Sequence, residues 1–81
     1  MVTVYTTRFC GYCVRAKRLL KKRDIPFEEV SLEGNHERRM ELVQQTGWRT
    51  VPMIFVGDEF IGGSDELHRL DKSGKLAAMV A

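Results

Sequence analysis

One junction near the start constrains the fold more than any other part of the chain: a strand-forming run, a two-cysteine turn and an amphipathic stretch follow one another without a linker. Residues 2 to 6, VTVYT, are β-branched and aromatic and read as a buried strand. The turn RFCGYC comes next. From Gly11 to Arg23 the apolar positions Cys13, Ala16, Leu19 and Leu20 recur at helical spacing, while Arg15, Lys17, Arg18 and Lys22 occupy the other sides. Asp24-Ile25-Pro26 ends that helix, because proline disfavours helical geometry in the residue before it. Phe27 to Leu32 then reads as a second strand. A crossover helix between consecutive strands makes them parallel and the connection right-handed.

The remainder completes a small α/β domain. Gly34-Asn35 supplies a break, with Asn35 as N-cap of a helix running to about Thr46 and closed by Gly47. MIFV at 53 to 56, Gly57-Asp58 and Glu59-Phe60-Ile61 form the pattern of a hairpin with a two-residue turn. Ser64 is placed to cap a third helix whose first turn carries Asp65 and Glu66, Ser73-Gly74 interrupts it, and KLAAMV closes the chain as a short helix. The order is βαβαββα plus a short C-terminal helix. It predicts one mixed four-stranded sheet with helices on both faces, and a C-x-x-C beside a βαβ unit is the pattern of a thioredoxin-like redox fold.

Size and composition exclude several classes. The 81 residues allow a single domain, 1–81, so any active site is built on the core fold itself. At 43% apolar and 30% charged residues the chain reads as a globular one. Its most apolar run, Val51 to Val56, cannot span a bilayer, and the N-terminus lacks a signal-peptide pattern, so we expect a cytoplasmic protein without a membrane partner. A net charge of +2 is too small for a nucleic-acid footprint. That charge is nonetheless uneven: residues 8 to 23 hold seven basic side chains and no acid. A solvated helix face explains this run; the sharper reading is that it favours anionic substrates near Cys10.

Cys10 and Cys13 are the only cysteines, two residues apart in the gap between them. Secreted domains of this size staple themselves with four or more, and a disulfide closing so short a loop removes little entropy from the unfolded chain. Structural zinc needs four ligands, and His36 and His68 lack the usual spacing, so no metal is expected within one chain. The remaining use is chemical. Where a strand feeds a helix, Cys10 lies among unpaired N–H groups at the positive end of the helix dipole, which favours thiolate over thiol. Arg8 and Arg15 add positive charge, and Gly11 keeps an amide donor that proline would remove. Cys13, one turn further in, fits the resolving thiol.

Two later stretches belong beside Cys10 in such a fold. Thr50-Val51-Pro52 opens the third strand; an X–Pro bond is trans by default, and a cis bond here leaves the Val51 backbone groups free for an extended peptide. Gly62-Gly63-Ser64-Asp65 ends at a helix N-terminus, where amides and a hydroxyl offer an anion site and Asp65 can accept from an ammonium. Trp48 reads as core or rim.

Taken together, YTTRFCGYC, TVP and GGSDE resemble the glutaredoxins of the small bacterial dithiol class, over nearly the whole chain. The resemblance implies a cis bond before Pro52 and glutathione as reductant and bound co-substrate. It implies Cys10 as nucleophile and Cys13 as resolving thiol, with Thr50 and Val51 holding the glutathione backbone and Gly63, Ser64 and Asp65 its γ-glutamyl end. Tyr12 and Pro52 join that contact surface. Thr7 stands where many members place a lysine, and Arg8 or Arg49 is expected to replace it. The implied activity is glutathione-dependent reduction of protein disulfides and glutathionylated proteins by a monomer. Two alternatives stay open. Gly11 stands where proline is usual, and relatives with glycine there can hold a [2Fe–2S] cluster in a glutathione-bridged dimer, with Cys10 as ligand. YTT with CGYC also looks like the mycoredoxins, which use another thiol, and a redoxin served by a flavoprotein reductase is the third reading; GGSDE favours glutathione.

Overall fold

A computed structural model describes residues 1–81. The elements are β1 (Val2–Thr6), α1 (Gly11–Lys22), β2 (Phe27–Ser31), α2 (His36–Thr46), β3 (Met53–Val56), β4 (Glu59–Gly62), α3 (Ser64–Lys72) and α4 (Lys75–Val80). The strands form one sheet in the order β2-β1-β3-β4. β1 pairs parallel with β2, antiparallel with β3, and β3 pairs antiparallel with β4. The thioredoxin-like fold expected from the sequence is therefore present.

Alternation along the two central strands divides the interior in two. Val2 and Val4 of β1 and Ile54 of β3 point to one face, where Ala16, Leu19 and Leu20 of α1, Leu67 of α3 and Leu76 of α4 cover them. Met53 and Phe55 point to the other face and pack with Leu32 and Leu42 of α2. Tyr5 and Phe60 extend that second cluster through edge and tilted ring contacts with Phe55 at 5.8 Å and 5.2 Å. Since β1 and β3 lie in the middle, the C-terminal end of β1 and the N-terminal end of β3 meet at one edge of the domain. That edge carries both cysteines.

Three boundaries differ slightly from expectation. β2 ends at Ser31, β4 continues to Gly62, and Arg23 is the C-cap of α1 and not its last residue. The larger difference is at α3, whose N-cap is Gly63 and not Ser64. Glu66 accompanies the shift: its carboxylate accepts the Gly63 N–H at 2.9 Å, the N3-to-N-cap bond of a capping box, although Gly63 has no side chain to accept an amide in return. The Ser64 hydroxyl faces His68 Nδ1 at 3.4 Å instead.

Candidate active site

The turn between β1 and α1 brings the nucleophile to the surface. Phe9 adopts a left-handed conformation, with φ of 54°, which is uncommon for a bulky residue and reverses the chain just before the helix. Its ring is fully exposed. The turn is tied to the neighbouring loop by the Arg8 N–H, which donates to Glu33 Oε2 at 3.0 Å.

Cys10 is the N-cap of α1, a place more often held by serine, threonine, asparagine or aspartate. Its sulfur accepts the Cys13 N–H at 3.1 Å, as a capping oxygen would. No acidic residue lies in the first turn of α1, so the orphan amides and the dipole act on the sulfur alone. Cys10 and Cys13 are joined as a disulfide with Cα atoms 5.2 Å apart, so oxidised and reduced forms need no large backbone movement. The two sulfurs differ in access. Cys13 is 2% exposed within the core, whereas Cys10 borders an open cavity.

That cavity, of about 790 Å³, runs between the N-termini of α1 and α3. Cys10, Gly11 and Tyr12 form one side; Thr50, Val51 and Pro52 the floor; Gly63, Ser64 and Asp65 the other side. The Val51–Pro52 bond is cis, as the resemblance implies. The Val51 carbonyl oxygen lies 3.7 Å from Cys10 Sγ, and Val51 stands outside the β1–β3 ladder, which ends at Met53. Gly63 passes close to this floor: a Cβ there would meet the Pro52 carbonyl oxygen at 3.4 Å.

Of the ten residues expected to contact substrate or carry chemistry, Cys10, Tyr12, Thr50, Val51, Pro52, Gly63, Ser64 and Asp65 all line the cavity. Cys13 lies behind Cys10. Arg49 does not line it; its carbonyl instead accepts from Arg39 Nη2 at 3.3 Å. Arg8, expected as a supporting charge, is exposed and also lies outside the lining. The cation that does face the cavity is Arg39, on α2. Sequence spacing gave no pointer to it, because it stands among four charged residues in HERR and E of the helix and only tertiary packing singles it out. Trp48 also lines the cavity while its ring packs edge-on against Phe60 at 5.7 Å. His36 is exposed and His68 is held by the Ser64 carbonyl at 2.7 Å, and no three His, Cys, Asp or Glu side chains converge as metal ligands.

A second network lies beside the site. Glu29 of β2 accepts from Thr6 Oγ1 at 2.8 Å and from Lys17 Nζ at 3.0 and 3.2 Å. Hydrogen bonding from Lys17, then from Thr6, holds its carboxyl below the usual range.

An open sulfur capping a helix, a buried partner sulfur one turn on, and a cis-proline loop facing them on a four-stranded mixed sheet define a thioredoxin-fold dithiol protein. Comparison with known proteins narrows the class. Residues 2–61 match the family model described as Glutaredoxin. The chain is 44% identical over 80 residues to a glutaredoxin of Pseudomonas aeruginosa, covering 99% of this chain and 95% of that one. It is 43% identical over 75 residues to glutaredoxin 3 of Escherichia coli, covering 93% and 90%. Among solved structures, a buckwheat glutaredoxin–glutathione complex superposes with a TM-score of 0.92 at 32% identity, covering 98% of this chain and 74% of that one. The chain belongs to the glutaredoxin family, and its two cysteines make it a thiol–disulfide oxidoreductase. No helix is long and apolar enough to cross a membrane.

Proposed function

We propose that the protein uses glutathione to reduce protein disulfides and to release glutathione from glutathionylated proteins. The observation that carries this reading is the shared cavity, which puts one reachable sulfur between a free backbone edge at Val51 and the N-terminus of α3. Its volume of about 790 Å³ falls within the roughly 300–1,000 Å³ of small-ligand sites, ample for a tripeptide. A γ-glutamyl end carries a carboxylate and an ammonium on one carbon; the α3 amides suit the first and Asp65 the second. Arg39, in place of the expected Arg8 or Arg49, suits the glycine carboxylate at the other end. A buckwheat relative was solved as a glutathione complex, which supports the same occupant here.

In the cycle, the Cys10 thiolate attacks a substrate disulfide, forming a mixed disulfide and expelling one substrate thiolate. With a protein disulfide, Cys13 then attacks the Cys10 sulfur, releasing the second substrate thiolate and leaving the Cys10–Cys13 disulfide. Two glutathiones return that bond to dithiol and leave as glutathione disulfide. With a glutathionylated protein, glutathione stays on Cys10 and a second glutathione removes it, so Cys13 is not needed. The discriminating assay compares glutathione with a flavoprotein reductase as reductant of the same disulfide. Turnover with glutathione, retained for deglutathionylation in Cys13→Ser, is expected; turnover with the reductase alone contradicts the reading.

A further inference from the structure

The first turn of α1 opens not only into the glutathione-sized cavity but also along the helix. A second depression of about 600 Å³ begins at the same Gly11 and Tyr12 and continues over Val14 to Arg15 and Arg18. A third, of about 340 Å³, begins at Arg15 and Arg18 and continues between α1 and α3 past Lys22. Shared walls make them one track leading away from Cys10. Tyr12, Arg15, Arg18 and Lys22 follow one another at intervals of three and four residues, so they form a single stripe on the helix.

Some of the basic side chains along α1 are engaged and others are not. Lys17 is engaged by Glu29, and Arg23 at the far end of the track is engaged by Asp71 at 2.9 and 3.0 Å. Arg15, Arg18 and Lys22 make no ion pair or side-chain hydrogen bond; the Arg15 guanidinium stacks 5.9 Å from the Tyr12 ring centre. The start of the track is apolar, with Tyr12 58% and Val14 47% exposed. Beyond it Arg15, Arg18 and Lys22 carry unpaired charge, and the Arg23–Asp71 pair and His68 close the far end.

We propose that this track docks the segment flanking the reactive cysteine of protein substrates, and that it selects segments with an apolar residue next to the cysteine followed by acidic ones. The inference rests on the exchange chemistry proposed above. A helix rises about 1.5 Å per residue, so Arg15 to Lys22 lie about 7 to 18 Å along the axis from Cys10. An extended chain advances about 3.3 Å per residue, which puts the acidic positions about two to five residues from the substrate cysteine. The three free cations of the stripe fit such a short segment; a nucleic acid or an anionic bilayer presents charge over a far wider surface than this stripe covers.

The test is a single-turnover measurement on the reduced protein, with peptides whose one cysteine is activated as a thiopyridyl disulfide and whose next five residues are acidic, neutral or basic. At low ionic strength the acidic peptide should react about tenfold faster than the basic one, a difference of about 1.4 kcal/mol that shrinks in high salt. In Arg18→Glu/Lys22→Glu that order should reverse, while exchange with the small neutral disulfide bis(2-hydroxyethyl) disulfide stays unchanged. Equal rates for the three peptides, or an unchanged order in the double variant, would overturn the proposal. So would retention of a 20-nucleotide RNA or of phosphatidylserine vesicles that depends on Arg18 and Lys22 without any peptide preference. The assay needs no glutathione, so failure of the glutathione reading leaves these rates as they are and is told apart from failure of the track.

Discussion

Two helix N-termini face each other across the cavity, and they are built in opposite ways. The N-terminus of α1 has no acid in its first turn and a sulfur as its cap. That of α3 has Asp65 and Glu66 in its first turn, and Glu66 already takes the Gly63 N–H. Both present a positive dipole end to the same space. The first reserves its field for a charge that the sulfur acquires; the second spends part of its field on its own carboxylate and stays fixed whatever the redox state. A reacting helix end and a holding one therefore differ by the position of acids, although both caps are extended.

Removing the reacting sulfur breaks the comparison most severely. Cys10→Ser should lower exchange with any disulfide to the rate of glutathione alone, read by the release of a chromogenic thiol, while the domain stays folded. The holding end breaks through its packing. Gly62 has φ of 113°, and a Cβ there would approach Glu66 Cγ to 2.7 Å, so Gly62→Ala must displace the Glu66 side chain as well as strain the backbone. We expect a loss of about 2 kcal/mol in urea unfolding, with a lower midpoint and an unchanged slope.

Smaller changes sharpen the contrast. Gly11 is exposed with no atom within 4 Å of an added Cβ, so Gly11→Asp gives α1 the acid it lacks without a clash. A charge there is worth about 0.3–1 kcal/mol, so the pH midpoint of Cys10 alkylation should rise by about half a unit. The smallest effect concerns Glu29, whose carboxyl is held low by Lys17 and Thr6. A carboxyl lowered on folding adds stability that is present above its unfolded value near 4.3 and lost as pH falls through the lower folded value. With the Glu29 side chain 40% exposed, solvent screening keeps this below about 1 kcal/mol. Glu29→Gln should flatten the acid limb of the stability–pH curve by that amount.

Much of the reacting end was legible because it is local. The four buried α1 positions, Cys13, Ala16, Leu19 and Leu20, are those that helical periodicity picked out. The hairpin was readable from Gly57-Asp58 between two apolar runs, and Asn35 does cap α2 through the Arg38 N–H at 3.1 Å. The holding end was read one residue late, because a helix can start on a glycine whose own N–H is taken by a carboxylate from the first turn. Arg39 escaped, and the basic run of residues 8 to 23 was visible only as a whole, because which cations face a cavity or stay unpaired depends on other elements: Glu29 and Asp71 engage some of them, and packing of α2 brings one arginine forward from several. The left-handed Phe9 had no signal at all, since no glycine or asparagine marks it.

The central claim is that the field of the α1 N-terminus ionises Cys10 at neutral pH. Iodoacetamide alkylation of the reduced protein, followed across pH with mass mapping of the labelled cysteine, tests it directly. The account predicts a midpoint for Cys10 well below the value near 8.5 of a free thiol, with Cys13 almost unlabelled. A midpoint at or above that value, or preferential labelling of Cys13, would contradict it.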